Sequence, residues 1–290
     1  MRNTGVQIPP ANIPNTVTGM FQLYFTDELI QNFVDETNRY ARTKIAALGV
    51  LKPRSIWRKW SDVTMMEMKC YTGIILKMSI TSACDMKDYF STRWDNYIPF
   101  FTDVISRDRF LMIHWMLHVE ADNPGMQRQT RRMKIRNMVT HMKSKCTELF
   151  IPKQNIAVDE TTIKFKGRVG FLMYNPQKPT KWGLRVFSLC DSETGYLVQF
   201  EPYYGQTTSN ALPNPNLPIP ARIVLHLVNE FTGAARNTGY HVYTDRYYTS
   251  PSLGRELKKL GISTTGTVMK NRKDLPEEVK KKYLKLKKHE

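Results

Sequence analysis

Cysteine is scarce in this sequence, with four copies among 290 residues. They are Cys70, Cys84, Cys146 and Cys190. None belongs to a Cys-x-x-Cys pair, which argues against a zinc module and against a disulfide framework. We therefore expect four reduced, buried thiols.

Long apolar runs are also missing. No stretch reaches the roughly 18 apolar residues that a membrane-spanning helix needs. The N-terminal segment lacks the apolar centre of a signal peptide. We expect a soluble protein inside the cell, with no membrane partner.

Acidic residues are outnumbered. The chain has 26 Asp and Glu against 43 Lys and Arg, which gives a net charge of +17. Residues 127–145 contain no acid and seven bases, and Lys270–Glu290 contains nine bases and four acids. Either stretch alone could be a solvated surface, but together with the net charge they favour nucleic acid as the partner.

The N-terminal half predicts helices. Residues 1–20 contain three prolines and few large apolar groups, which predicts an extended arm. Helical spacing of apolar residues then follows capping residues at Thr26, Thr64 and Ser106, and a fourth helix ends near Leu149. We expect residues 21–150 to form a helical, basic region for DNA binding or dimerisation.

The pattern changes after Pro152. Strands are predicted at residues 156–168, 181–190 and 195–204, then a helix, a strand at 240–245, a helix from Ser250 to Gly261 and a strand at 262–268. By analogy at the level of the fold, this order is typical of an RNase H-like α/β domain. We expect this core at residues 151–269, preceded by the all-α region and followed by a Lys-rich tail at 270–290.

Two aspartates, Asp159 and Asp245, each end a β-rich apolar run. A carboxylate there is costly unless it is neutralised. Brought together by strand pairing, the two would form a cradle for a divalent metal such as Mg²⁺ or Mn²⁺. Arg246 follows directly and is either exposed on the opposite side or folded back against the aspartates, where it would compete with the metal.

Basic residues near Asp159 favour contact with phosphate over the alternative of a solvated sheet edge. Lys164, Lys166 and Arg168 alternate, so we expect them to share one face of a strand. Lys178 and Lys181 lie in a proline-containing loop beside them. The full predicted DNA-binding set is Arg131, Arg132, Lys134, Arg136, Lys164, Lys166, Arg168, Lys178, Lys181, Lys270, Arg272 and Lys273.

Other motifs predict structure rather than chemistry. His114 and His118 lack the glutamate of a zinc-binding helix, because Trp115 occupies its position. Gly266 has no phosphate-loop spacing around it. The tryptophans could stack on unpaired bases, but burial in a core is the expectation for most of them. They include Trp57, Trp60, Trp94 and Trp182.

Several segments, in consistent order from about residue 21, resemble the piggyBac family of DNA transposases and the host proteins derived from them. They include residues 24–28, 36–41, 106–110, 158–160, 164–168, 176–183, 189–192, 247–251 and 266–268. The resemblance implies a DDD-type catalytic core in which three aspartates bind two divalent ions. Asp159 corresponds to the first catalytic, metal-binding aspartate and Asp245 to the second.

The sequence departs from the family in three places. It contains no Gly-Gly-Val-Asp segment, near which the family has its third aspartate, and no Cys-rich finger. The family usually has Asn where this chain has Arg246. We therefore expect impaired catalysis, and whether the chain acts as an enzyme stays open.

Two functions follow from the resemblance. The first is a transposase-derived nuclear protein that binds double-stranded DNA (transposon ends and target) and is related to metal-dependent cut-and-paste transposition at TTAA sites. A homodimer is implied, and a small-molecule substrate is not. The second is a domesticated DNA-binding module without catalysis. An RNA-binding protein is less favoured, because no aromatic RNA-recognition motif is present.

Overall fold

The computed structural model describes residues 3–120, 134–232 and 239–280. Backbone contacts divide the chain into two compact units. The helical unit comprises Pro14–Met142, and the α/β unit comprises Met1–Ile13 with Lys143–Glu290. Within the described residues, no helix has both the length and the apolar character needed to cross a bilayer.

The helical unit contains five helices among its described residues, and a sixth continues from it into the α/β unit. They are α1 (Val17–Gln22), α2 (Asp27–Ala46), α3 (Met65–Ile80), α4 (Pro99–Val104), α5 (Arg107–Met116) and α6 (Arg136–Leu149). The capping residues predicted from sequence start α2, α3 and α5: Thr26, Thr64 and Ser106 each accept a backbone N–H bond in the first turn. Glu67 completes the predicted capping box by accepting the Thr64 N–H at 2.9 Å.

The core of the helical unit is aromatic and aliphatic. Its most buried members are Ile30, Val63, Met68, Ile74, Phe101, Phe110 and Ile113. His114 Nδ1 is hydrogen-bonded to the Tyr71 hydroxyl at 2.9 Å, and its ring stacks on Phe110. Burial lowers the pKa of His114, so the neutral imidazole packs in this core, as the sequence predicts.

The α/β unit contains strands β1 to β8 and helices α7 to α10 among its described residues. The strands are β1 (Gly5–Val6), β2 (Phe150–Ile151), β3 (Asn155–Lys164), β4 (Met173–Tyr174), β5 (Trp182–Asp191), β6 (Leu197–Pro202), β7 (His241–Thr244) and β8 (Ser263–Gly266). The helices are α7 (Gln206–Ala211), α8 (Ile219–Thr232), α9 (Pro251–Lys259) and α10 (Glu277–Lys280). β1 pairs with β2, and the other six strands form the main sheet.

The main sheet has the predicted connectivity. Its order is β4-β5-β3-β7-β8, with β6 also paired to β5. β3, β5 and β6 are antiparallel, whereas β7 and β8 run parallel to β3. The five strands predicted from the sequence are all in this sheet, in the predicted order along the chain, and the short β4 is an addition.

Helices α8 and α9 cover one face of the main sheet with apolar side chains. The sheet contributes Ile156, Val158 and Val242 to this core, and the helices contribute mainly Val224, Leu225, Leu227, Val228, Leu253 and Leu257. Burying each large aliphatic side chain contributes about 1.5–3 kcal/mol. Because strand residues alternate between faces, Ala157 and Asp159 point to the other side, which we call the open face.

Three predictions differ from the structure. β3 ends at Lys164, so Lys166 and Arg168 lie beyond it and the three bases do not share one strand face. The chain bends there around Gly167, where an added Cβ would lie 2.4 Å from the Phe165 ring. The predicted extended arm instead contains β1 and the start of α1, which Thr16 caps.

All four cysteines are free, as expected, but their burial was predicted incorrectly in part. Cys146 is buried, whereas Cys70 and Cys190 are partly exposed and Cys84 is exposed. Burial raises the pKa of Cys146, which disfavours its thiolate.

A partly buried ion-pair cluster joins Lys143, in the C-terminal part of α6, to β6 and α8. Lys143 Nζ contacts Glu201 and lies 2.8 Å from a Glu230 oxygen, with 16% of the lysine side chain exposed. His226 lies 3.5 Å from Glu201 and 3.4 Å from Glu230. Burial alone would lower the pKa of Lys143, but the two carboxylates hold it above its ordinary value. Glu201, His226 and Glu230 have metal-like spacing, but the Lys143 ammonium already pairs with both carboxylates.

We expect Lys143→Met to destabilise the protein by roughly 2 kcal/mol at neutral pH, because two carboxylates would lose their partly buried counter-charge. Burial alone would raise the pKa of Glu201, but His226 and Lys143 hold it below its ordinary value. The contribution of ionised Glu201 to the stability of the fold is therefore present above about pH 4.3 and is lost in acid. Urea denaturation at two pH values should show the deficit of the variant shrinking as pH falls.

Lys145→Met is the matched control, because Lys145 also lies on α6 and pairs with the more exposed Glu148. Its effect should stay below about 0.5 kcal/mol. Equal losses for the two variants would contradict the importance assigned to the Lys143 cluster.

Candidate functional site

Asp159 and Asp245 lie side by side at one edge of the open face. β3 and β7 are parallel, and their last paired residues are Val158 and Thr244. Asp159 is the next residue of β3, and Asp245 is the first residue after β7. Val158 and Thr244 are buried, so both carboxylates point away from the core, and both are exposed. The structure thus brings together the two residues that the sequence predicts as neighbours.

The turn after β7 is held rigidly by its own hydrogen bonds. Asp245 Oδ1 accepts the Tyr247 N–H at 2.9 Å, and the Asp245 carbonyl accepts from the Thr249 hydroxyl at 2.6 Å. Gly266 on β8 packs against this turn: an added Cβ would lie 2.3 Å from both the Thr244 carbonyl and the Thr249 hydroxyl. Gly266 is therefore required for close approach of β8 rather than for binding phosphate.

Glu160, next to Asp159, is held by partners of its own. Lys178 Nζ lies 3.1 Å from one carboxylate oxygen, and the buried Tyr248 hydroxyl donates to the other at 3.0 Å. Burial alone would raise the pKa of Glu160, but these two partners hold it below its ordinary value. Burial and Glu160 raise the pKa of Tyr248, so its hydroxyl remains a donor.

Asp159 has no such compensation. Its Oδ1 accepts the Glu160 N–H at 2.7 Å, which favours the charged form. Partial burial and the neighbouring charges of Glu160 and Asp245 outweigh this bond and raise the pKa of Asp159. Excess negative charge therefore concentrates on the open face where Asp159 and Asp245 meet.

These carboxylates fit a hard divalent cation. Mg²⁺ and Mn²⁺ prefer oxygen ligands, and Mg²⁺ is commonly bound by one or two carboxylates with water and phosphate completing its shell. Burial is the main cause of the raised pKa of Asp159, and the charges of Glu160 and Asp245 add to it. A cation between the two aspartates would favour the charged form of Asp159. Asp159 and Asp245 are the residues that would hold the ion.

Two arginines beside the site have different surroundings. Arg246 is exposed and, within the described residues, forms no ion pair with either aspartate, so it matches the first of the two alternatives given above. Arg272, predicted to contact DNA, donates to the carbonyls of Arg246 (3.1 Å) and Tyr247. It thereby supports the turn that carries Asp245.

The other predicted DNA-binding residues fall into three groups. Lys164, Lys166, Arg168, Lys181, Lys270 and Lys273 are exposed in the α/β unit. Lys178 pairs with Glu160, and Arg136 of the helical unit pairs with Glu120 at 3.0 Å. Lys134 is exposed in the helical unit, and Arg131 and Arg132 lie outside the described residues.

Sequence reasoning missed the roles of Glu160, Tyr248 and Arg272 around the site. Glu160 follows Asp159 directly, so its adjacency was the available signal. Tyr248 and Arg272 act through contacts between distant parts of the sequence, which no local spacing announces.

We expect Asp159→Asn to raise the free energy of unfolding at neutral pH by no more than about 1 kcal/mol, because it removes repulsion between partly exposed charges. A raised pKa means that the folded state disfavours the ionised form of Asp159. The gain in the free energy of unfolding should therefore be complete well above the folded-state pKa and vanish below about pH 4. Denaturation across this pH range measures it, with Asp103→Asn, an exposed aspartate of the helical unit, as control.

The same measurement with Mg²⁺ or Mn²⁺ tests the metal fit. Either ion should raise the melting temperature of the unmodified protein and leave that of Asp159→Asn unchanged. Equal shifts for both proteins would place the ion elsewhere.

Comparison with known proteins gives a consistent result. A family model described as Transposase IS4 matches residues 16–290. The human piggyBac transposable element-derived proteins 2 and 3 are 29% and 28% identical to the chain and align with 91% and 93% of it. The alignments cover 42% and 43% of those proteins, so the chain spans less than half the length of these curated relatives.

A solved structure, a piggyBac transposase synaptic complex with hairpin DNA, has the same fold. It aligns with a TM-score of 0.76 at 23% identity, over 96% of this chain and 55% of the other. The predicted RNase H-like α/β fold is thereby confirmed. The family match across almost the whole sequence shows that this chain belongs to the piggyBac-type transposase family.

Proposed function

We propose that this chain binds double-stranded DNA and holds a divalent metal ion, Mg²⁺ or Mn²⁺, between Asp159 and Asp245. The observation that carries the proposal is the proximity of two exposed carboxylates, Asp159 on β3 and Asp245 directly after the parallel strand β7. The net charge of +17 and the hairpin DNA bound by the structurally similar transposase support a DNA partner.

The proposed reaction class is phosphodiester hydrolysis and strand transfer, as in cut-and-paste transposition at TTAA sites. The bound metal would supply positive charge for the attacking and leaving oxygens. Lys164 and Lys181 would neutralise DNA phosphates near the sheet. Lys178 pairs with Glu160, and Tyr248 donates a hydrogen bond to it.

The proposal also places the protein in the nucleus, with transposon ends and target DNA as partners, and as a homodimer. Its support is membership of the transposase family. These are properties of a whole transposase, whereas the chain spans less than half of its curated relatives.

A DNA-binding module without catalysis is the second candidate. One observation favours it: among the described residues, two carboxylates meet on the open face, and the third nearby, Glu160, is engaged by Lys178 and Tyr248. Two-metal phosphoryl transfer needs ligands for both ions about 3.5–4 Å apart.

Cleavage separates the two candidates. A catalytic protein should nick a supercoiled plasmid carrying TTAA-flanked transposon ends when Mn²⁺ or Mg²⁺ is added. Asp159→Asn and Asp245→Asn should each lower the rate at least about 100-fold, because each removes a metal ligand. The control variant Asp103→Asn should cleave normally. If the folded, unmodified protein leaves the plasmid intact with either metal, the DNA-binding module without catalysis is the function that remains.

DNA binding has its own test, the dependence of the duplex dissociation constant on salt. If about six basic side chains meet phosphates, log K should fall with log salt at a slope near about −5. Replacing Lys164, Lys166 and Lys181 together by Gln should reduce the magnitude of the slope by about 3. The same three-charge change at Lys52, Lys59 and Lys87, exposed lysines of the helical unit, is the control. A slope near zero would refute duplex binding.

A further inference from the structure

A basic pocket lies where β3 ends and β5 begins. Its volume is about 490 Å³. The lining includes three lysines and two aromatic residues: Lys164, Phe165, Lys166, Lys181 and Trp182. The pocket belongs entirely to the α/β unit and shares β3 with Asp159.

The three lysines of the pocket are exposed and have no internal counter-charge. Within the described ranges, none of their ammonium groups forms an ion pair or a hydrogen bond. Other lysines of this unit, such as Lys143, Lys153 and Lys178, each meet a carboxylate. Three lysines without a counter-charge around one pocket favour an anionic ligand.

Trp182 gives the pocket an aromatic surface. The Trp182 side chain is large and apolar, yet the residue is 51% exposed. Tyr174, its cross-strand partner, packs against it with ring centroids 4.5 Å apart and planes inclined by 36°. This contact braces the indole and leaves half of its surface available.

We propose that the pocket binds unpaired nucleotides of a DNA strand that extends beyond the duplex. A base would stack on Trp182, and its phosphates would contact Lys164, Lys166 and Lys181. Aromatic rings among basic side chains suit single strands, because an unpaired base offers its flat face. Paired bases inside a duplex are stacked on both faces and offer only their edges and phosphates.

The position of the pocket agrees with this assignment, which rests on the proposed function. Trp182 is six residues along β5 from Ser188, the register partner of Asp159, so the alternation of side chains puts Trp182 and Asp159 on the same open face, roughly 20 Å apart along the sheet. A DNA strand that passes Asp159 would reach Trp182 within about six nucleotides at stacked spacing, and in fewer when it is extended. The pocket would therefore hold a single-stranded end adjoining the site of cleavage.

The test compares a blunt duplex with the same duplex carrying a five-nucleotide overhang of either polarity. The overhang contains 2-aminopurine, whose fluorescence is quenched when it stacks on an aromatic ring. We expect the unmodified protein to bind the overhang DNA more tightly and to quench the probe. Trp182→Ala should lose affinity for the overhang DNA by roughly tenfold, keep its blunt-duplex affinity within about twofold and abolish quenching.

Two variants complete the test. Trp182→Phe should restore most of the affinity and the quenching, because a phenyl ring also stacks. Trp94→Ala, which removes a tryptophan that is 94% exposed in the helical unit, should change neither.

The outcomes separate this proposal from the proposed function. If the unmodified protein binds the blunt duplex but does not quench the 2-aminopurine of the overhang, the pocket assignment is overturned and DNA binding stays intact. This readout does not depend on the folding of any variant. No binding of either DNA would refute the proposed function itself. The assignment to a DNA strand would be overturned if an RNA overhang bound more tightly than the DNA overhang, or if a free mononucleotide bound as tightly as the DNA overhang.

Discussion

The parallel pairing of β3 with β7 determines the geometry of the site. Val158 and Thr244 are the last register partners, and both side chains are buried. Because strand residues alternate between faces, burying this pair turns the following residues, Asp159 and Asp245, to the opposite side. The apolar core beneath α8 and α9 thus fixes the direction of two carboxylates that lie outside it. β5 and β8 hold the outer edges of the two strands and prevent them from separating.

Counter-charge distinguishes the two acidic clusters of the α/β unit. Glu201 and Glu230 both pair with Lys143, and these ion pairs stabilise the C-terminal part of α6. Glu160 pairs with Lys178 and accepts a hydrogen bond from Tyr248. Within the described chain, no lysine or arginine pairs with Asp159 or Asp245. Repulsion that the fold leaves uncompensated is a physical reason to expect a cation there.

Much of this arrangement was accessible from the sequence because its signals are local. Caps at Thr26, Thr64 and Ser106 mark helix starts, and the order of apolar runs yields the sheet and hence the pairing of the aspartates. Contacts between distant segments were not accessible. The engagement of Arg272 with backbone carbonyls and the pairing of β1 with β2 depend on where loops arrive in space. The end of β3 was misjudged because alternating bases continue past the bend at Gly167.

Adjacent acids in the middle of β3 make the site sensitive to the register of this strand. Asp159 points to the open face, and Glu160 contacts the buried Tyr248. A slip of one residue would exchange their directions and, at the same time, expose Ile156 and Val158 to water. An insertion or deletion within β3 would therefore separate the carboxylates of Asp159 and Asp245 while retaining every acidic residue. Changes of length in this protein are tolerable in its loops but not in this strand.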